Sequence, residues 1–301
     1  MRDGPHRRRT MWTIVGKTSE RRCRWLRITL AVLVLGSSAL GVSQAIQPPL
    51  MREATLELPE WPARRRPVRA VLLADIHLGG IDMTAKRLSR IIDRINAVQP
   101  DVVLVAGDFL TDWAADSADI IEVAAQMKRL RSRYGTVAVL GNHDHGSNTL
   151  LLRNQLEQSG VTLVDNGAVR RGPLILAGSG DSVSGHARLG GTLAAVRRLR
   201  AKTDGAIVYL AHSPDILKWL PQGPAVLLAG HTHCGQIVLP LIGAPVRVSQ
   251  IFGNKLRCGS IRIGDKHIIV TSGLSTSSLP LRIGAPPDFW VLTLSGASHA
   301  G

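Results

Sequence analysis

Three apolar runs, at 68–74, 101–106 and 136–140, each stop at a short block of Asp, His or Asn residues. Amphipathic helical patterns lie between them. At 84–98, Leu88, Ile91, Ile92 and Ile95 fall on one helical face, Thr84 is placed to cap the start, and Pro100 follows the end. A second such pattern runs over 116–133. Strand–helix–strand alternation of this kind specifies an α/β core with a largely parallel sheet. The theme returns with strands at 174–178, 206–211 and 225–229 and a helix at 189–202. Short β segments at 259–263, 267–271 and 289–294, set off by Gly-rich turns, predict an antiparallel portion. No composition shift divides 67–295, so it reads as one domain with a short tail, 296–301.

The blocks at the strand ends form an ordered set. They are Asp75-Ile76-His77, Gly107-Asp108, Gly141-Asn142-His143-Asp144, the isolated His212, and Gly230-His231-Thr232-His233. Loops beyond the carboxyl ends of adjacent strands converge, so residues placed there meet. Carboxylates, imidazoles and one amide carbonyl suit two divalent cations held side by side. Asp75 and His77, two apart, point to one side of an extended chain. Asp108 is placed to bridge both cations with its two oxygens. Gly107 allows a tight turn before it. Asn142 adds a neutral oxygen, while His212, His231 and His233 add imidazoles. His143, next to Asn142, points elsewhere and is a candidate proton donor to a leaving oxygen. Asp144 is a candidate second carboxylate that fixes the His143 tautomer. Each block alone is a weak signal; the order and the glycines carry the inference. His6, His145, His186, His267 and His299 show no partner pattern, although His145 lies nearest the set. Asp112 and Asp181 read as turn or cap residues.

The N-terminus carries a different message. Residues 1–27 hold nine Arg or Lys against two acids, a net +7 of the chain's +15. An uncharged stretch, 28–46, follows and has the length of a membrane span. Two readings compete, an uncleaved signal anchor, which the basic flank favours, and a long cleaved signal peptide ending near Ser43-Gln44-Ala45. With an anchor, the basic end stays in the cytoplasm and the domain lies outside the cytoplasmic membrane. Residues 47–66, with Pro48, Pro49, Pro59 and Pro62, read as a stiff linker. Because nearly half the positive excess sits in this leader, and only 4% of residues are aromatic, nucleic-acid binding is not expected. Three cysteines make no disulfide framework. Cys234 and Cys258 either pair in an oxidising compartment or stay as free thiols.

The five blocks together resemble the full motif set of the calcineurin-like metallophosphoesterase superfamily. Asp75-Ile-His-Leu-Gly79 and Gly230-His-Thr-His-Cys-Gly-Gln236 are similar to its branch of membrane-tethered or exported bacterial enzymes of the YaeI/YkuE type. That branch more often has glycine where Cys234 stands. The resemblance implies a four-layer α/β/β/α sandwich and a dinuclear centre of manganese, iron or zinc. One metal would take Asp75, His77, Asp108 and His233, and the other Asp108, Asn142, His212 and His231. The implied activity is phosphoester hydrolysis, on diesters or on lipid-linked phosphates or pyrophosphates, with His143 at the phosphate. Arg247, Lys255 and Arg257 are candidates to meet an anionic head group. A non-catalytic, membrane-anchored phosphate-binding or scaffold protein is the alternative, but such proteins lose ligands and this chain keeps the whole set. Oligomeric state is not legible.

Overall fold

Strands that are apolar at every position must be covered on both faces, and two packed sheets achieve this here. The computed structural model describes residues 10–111, 116–146, 148–277 and 279–296. The first sheet holds β1 (Leu50–Glu57), β2 (Val68–Leu73), β3 (Val102–Ala106), β4 (Thr136–Val139), β5 (Val161–Leu163) and β12 (Asp288–Ser295), in the order β1-β12-β2-β3-β4-β5. The second holds β6 (Gly167–Arg171), β7 (Leu174–Gly178), β8 (Ala206–Leu210), β9 (Ala225–Ala229), β10 (Gly259–Ile263) and β11 (Lys266–Val270), in the order β10-β11-β9-β8-β7-β6. Strands β2 to β5 are parallel, as are β7, β8, β9 and β11. The expected antiparallel portion is present as β10 against β11 and β12 against β2.

Alternate side chains sort the layers. Val71, Leu73, Val103 and Val105 face outward and pack under α2 (Ala85–Ala97), α3 (Ser117–Met127) and α4 (Thr149–Gln158). Ala70, Leu72, Leu104 and Val139 face inward and meet Leu176, Val208, Leu228 and Ile269 of the second sheet. The far face of that sheet, with Ile175, Tyr209, Leu227 and Ile268, is covered by Val196 of α5 (Leu189–Arg200) and by Ile216 and Leu217. The result is the α/β/β/α order.

The helix expected at 84–98 forms with Thr84 as its cap, whose side chain accepts the Arg87 N–H. The helix expected to reach residue 133 stops at Met127. Asn96 captures the chain beyond it: its amide donates to the Arg129 carbonyl and accepts from Arg131 N–H. Helix α4 and strands β5 and β6 were not anticipated. Only Leu152 and Leu156 of α4 are buried, too few to show a helical period.

The segment expected to be a linker, 47–66, contains β1. All eight residues of β1 pair in parallel with β12, and Arg52 Nε meets Asp288 Oδ2 at 2.6 Å. It lies at the edge of the sheet with only Leu56 buried, and its mixed sequence with flanking prolines gave no strand pattern. Sheet structure therefore begins at Leu50 rather than at 67. Upstream, α1 (Thr10–Ile46) is a single helix, and its stretch Arg24–Ile46 is long and apolar enough to cross a membrane. Its last turns touch the domain: Arg282 N–H donates to the Gly41 carbonyl, and Arg87 to those of Ala45 and Gln47. Residues 1–9 of the basic leader, 297–301 of the tail, and Asp112 lie outside the described residues.

Candidate metal centre

All the candidate ligands lie just past strand ends, and the two sheets present them to one another. Asp75 and His77 follow β2, Asp108 follows β3, and Asn142 follows β4. His212 follows β8, and His231 and His233 follow β9. The loops are not extended. Asp75, His77, Asp108, His231 and His233 all have positive φ, between 46° and 70°. This corrects the expectation that Asp75 and His77 share a side because the chain is extended. They converge through left-handed turns, a backbone state that non-glycine residues adopt at some energetic cost and that clusters at functional sites. Two glycines make room. A Cβ on Gly107 would lie 2.5 Å from the Gly141 nitrogen, and one on Gly141 would lie 2.1 Å from Asp108 Oδ1.

Three imidazoles are oriented by backbone carbonyls. The Nδ1 atoms of His77, His212 and His233 sit 3.1, 2.7 and 2.9 Å from the carbonyls of Leu110, Ala106 and Ser275. A carbonyl only accepts, so each Nδ1 carries the proton and each Nε2 is turned to the centre. There, His77 Nε2 and His233 Nε2 lie 3.3 Å apart. His212 Nε2 lies 3.0 Å from Asn142 Oδ1, 3.2 Å from His231 Nδ1 and 3.2 Å from Asp108 Oδ2. Asp108 Oδ2 is also 3.5 Å from His77 Nε2, and Asp75 Oδ1 is 3.8 Å from His233 Nε2. Asp108 is thus the central carboxylate. On one side stand Asp75, His77 and His233; on the other stand Asn142, His212 and His231. Three groups of donors are close enough to hold a cation: Asp75, His77 and His233; His77, Asp108 and His143; and Asp75, Asp108 and His212.

The electrostatics follow from burial. Desolvation holds His77 and His231 down to about 4, and holds His233 well below its usual range. Burial also pushes the Asp75 carboxyl up to about 7. Asp108 and His212 behave oppositely. Burial would raise Asp108 and lower His212, but their mutual attraction wins, leaving Asp108 well below the carboxylate range and His212 at about 10. Two unprotonated nitrogens facing at 3.3 Å repel unless a cation stands between them. Together with the mixed oxygen and nitrogen donors, free of thiolate, this fits divalent metal.

His143 comes closer than expected. Its ring meets that of His77 edge-on, with centroids 4.8 Å apart, and its backbone N–H donates to Asp108 Oδ1 at 3.0 Å. Asp144, expected to orient His143, is fully buried and braces backbone. Its carboxylate accepts N–H groups of Asp108, Phe109 and Gly141 at 2.9 Å and of Leu110 at 3.3 Å. It thereby fixes the left-handed turn that presents Asp108. Asp181 is a turn residue, as read: one carboxylate oxygen accepts from Ser184 N–H and Oγ–H.

Arg282 was not anticipated. It is fully buried, and its guanidinium donates to the carbonyls of Ser272, Ala285 and Ser275, the last of which also holds His233. Burial draws its pKa down only to about 10, so a cation lies beneath the cluster at neutral pH. An isolated Arg in an irregular segment gave no sequence signal.

Two grooves flank the cluster. One is lined by Asn142, His143, His145, Val183, Ser184 and His186, with the last histidine stacked on His145 at 3.7 Å. The other is lined by His231, His233, Gln236, Ile237, Val246 and Val248. Among the described lining residues, Arg247, Lys255 and Arg257 do not appear. Cys234 and Cys258 are joined as a disulfide, which ties the loop after His233 to the start of β10.

Comparison with known proteins adds a family match and three relatives. A family model described as calcineurin-like phosphoesterase matches residues 68–235. An uncharacterized metallophosphoesterase of Bacillus subtilis (strain 168), YkuE, is 31% identical over 241 residues, covering 76% of this chain and 80% of that protein. A Danio rerio protein described as a transmembrane protein with metallophosphoesterase domain is 28% identical over 283 residues, covering 89% of this chain. The match takes in only 62% of the Danio rerio protein's length. Phosphodiesterase YaeI of Escherichia coli (strain K12) is 27% identical over 285 residues, covering 91% of this chain and 98% of that protein.

Proposed function

The chain belongs to the calcineurin-like phosphoesterase family, and from that premise we propose a membrane-anchored, metal-dependent phosphodiester hydrolase with a dinuclear centre. The observation that carries the reading is the pair of facing Nε2 atoms of His77 and His233, part of a complete and convergent donor set. Asp75, His77, Asp108 and His233 would hold one divalent cation, and Asp108, Asn142, His212 and His231 the other. Bound, such a pair supplies positive charge to phosphoryl oxygens and an acidified water.

The chain's own residues do the rest. The carbonyls of Leu110, Ala106 and Ser275 keep the three Nε2 atoms turned inward, so the rings need no reorientation on binding. Asp144 holds the Asp108 turn. His143, which lines one groove, would hydrogen-bond a phosphoryl oxygen or give a proton to the leaving oxygen. A diester has two substituents, and a groove on each side of the cluster gives each a place. The name of the Danio rerio relative and the apolar helix Arg24–Ile46 support an anchor in a cytoplasmic membrane. The basic N-terminal flank would stay in the cytoplasm, with the domain outside.

The test is hydrolysis by the full chain in mild detergent. Bis-p-nitrophenyl phosphate and p-nitrophenyl phosphate are compared with Mn²⁺ and with chelator. Metal-dependent cleavage favouring the diester, lost in Asp108→Ala, is expected. Cleavage that survives chelation and Asp108→Ala would remove the proposed centre.

A further inference from the structure

Beside the candidate metal cluster the molecule exposes several large apolar side chains. Leu241 is fully exposed, Ile81 is 83% exposed, Ile242 73%, Val246 66% and Leu279 59%. Single exposed apolar residues are ordinary, but several on loops bonded to one another beside a site mark a surface suited to an apolar partner. These five sit on three loops that are tied together. The Gln236 side chain donates to the Leu279 carbonyl and accepts from Ser277 N–H. Val238 N–H donates to Ile283 O, and Ile283 N–H to Gln236 O. Asp82, next to Ile81, accepts from Ser275 Oγ–H and from the N–H and Oγ–H of Thr276.

The same loops are continuous with α1. The chain at 281–282 lies against Gly41: a Cβ there would be 3.1 Å from Leu281 Cδ2, and Arg282 N–H bonds its carbonyl. Gly41 stands five residues before the helix end at Ile46, about 7.5 Å along the axis at 1.5 Å per residue. The stretch Arg24–Ile46 is about 34 Å long by the same rise, against about 30 Å of hydrocarbon. The segment at 281–282, bonded to these loops, therefore lies level with the last turns of the candidate span, and amphipathic surfaces at that depth enter the headgroup and acyl boundary. No stalk separates domain from helix. Arg247, exposed between Val246 and Val248, puts a cation where anionic headgroups lie. The groove lined by His231, His233, Gln236 and Val246 runs from the cluster to this rim.

We propose that Ile81, Leu241, Ile242, Val246 and Leu279 seat on the bilayer that α1 crosses, so that the groove takes phosphoester headgroups of membrane lipids directly from the bilayer surface. The substrate half of this proposal rests on the hydrolase reading; the seating does not.

The experiment places the full chain in vesicles of phosphatidylcholine and phosphatidylglycerol. The photoreactive residue p-benzoylphenylalanine replaces Leu241, or, as control, Asp204 in the loop before β8 at the opposite ends of the strands. Lipid adducts at 241 and not at 204 are expected. Equal labelling at the two positions, or adducts at 241 to a second copy of the chain, overturns the seating. A second arm uses the exposed double variant Leu241→Ser, Ile242→Ser. Its rate on soluble bis-p-nitrophenyl phosphate should stay within about twofold, while its rate on a vesicle-embedded lipid with a nitrophenyl phosphodiester headgroup falls about tenfold or more. Unchanged rates on both esters overturn the proposal. Wild-type chain that cleaves neither ester overturns the hydrolase reading, and the adduct ratio then decides the seating alone.

Discussion

His77 Nε2 and His233 Nε2 face each other at 3.3 Å, and neither has a proton to share, because each ring spends its Nδ1–H on a backbone carbonyl. Burial keeps both rings neutral at physiological pH. The pair is arranged for a cation.

Metal should stabilise the fold. A ligand at about 100 times its Kd adds about 2.7 kcal/mol to the native state. In a domain of this size that is a rise in Tm of about 5–10 °C. Differential scanning fluorimetry with Mn²⁺ and with chelator measures it. In Asp108→Asn, which removes the central carboxylate, most of the difference should vanish; a full shift there would place the metal elsewhere.

Metal uptake at pH 7 should release protons. Asp108 holds His212 up at about 10, so the empty site keeps a proton there that coordination must expel. Asp75, pushed up to about 7, gives up part of one as well, while His77 and His231, held at about 4, have none to lose. Affinity therefore rises as pH rises toward 10. Calorimetric titration in two buffers of different ionisation enthalpy counts the protons, and a count of zero would contradict the assignment.

Gly141→Ala should disable the centre without unfolding it. The new Cβ would fall 2.1 Å from Asp108 Oδ1, so the carboxylate must leave its place between His77 and His212. A displacement of about 1 Å at reacting groups can lower rates about 100-fold. The expected result is a fall of that order in kcat/KM with an unchanged circular dichroism spectrum.

Asp144→Asn separates two roles for this residue. The carboxylate accepts four backbone N–H groups, and an amide nitrogen in place of one oxygen would confront donors with a donor. Leaving buried donors unsatisfied destabilises by about 1–3 kcal/mol each. Urea unfolding should show a loss of about that size. If Asp144 serves only His143, stability will hold and the pH–rate profile alone will move.

The candidate ligands were legible in the sequence because they depend on residue type and order. Asp75, His77, Asp108, Asn142, His212, His231 and His233 each follow an apolar run, and in an α/β fold strand ends converge. The cap at Thr84 and the strands β3, β7 and β9 were legible for the same local reason. The reading failed where structure depends on distant partners. β1 is a strand because β12, more than two hundred residues later, offers it an edge. The ligand loops are left-handed because Gly107, Gly141 and the Asp144 carboxylate allow and fix those turns. Arg282 could not be found, since its role is set by carbonyls that only the folded chain assembles around it. The apolar rim was invisible too: Ile81, Leu241 and Leu279 lie far apart in sequence, and exposure is a property of packing, not of composition. Sequence alone determined which atoms could bind metal and that an apolar helix precedes them. Tertiary structure alone decided which nitrogen of each ring faces inward, and that the helix meets the site at its rim, because both depend on contacts between segments remote along the chain.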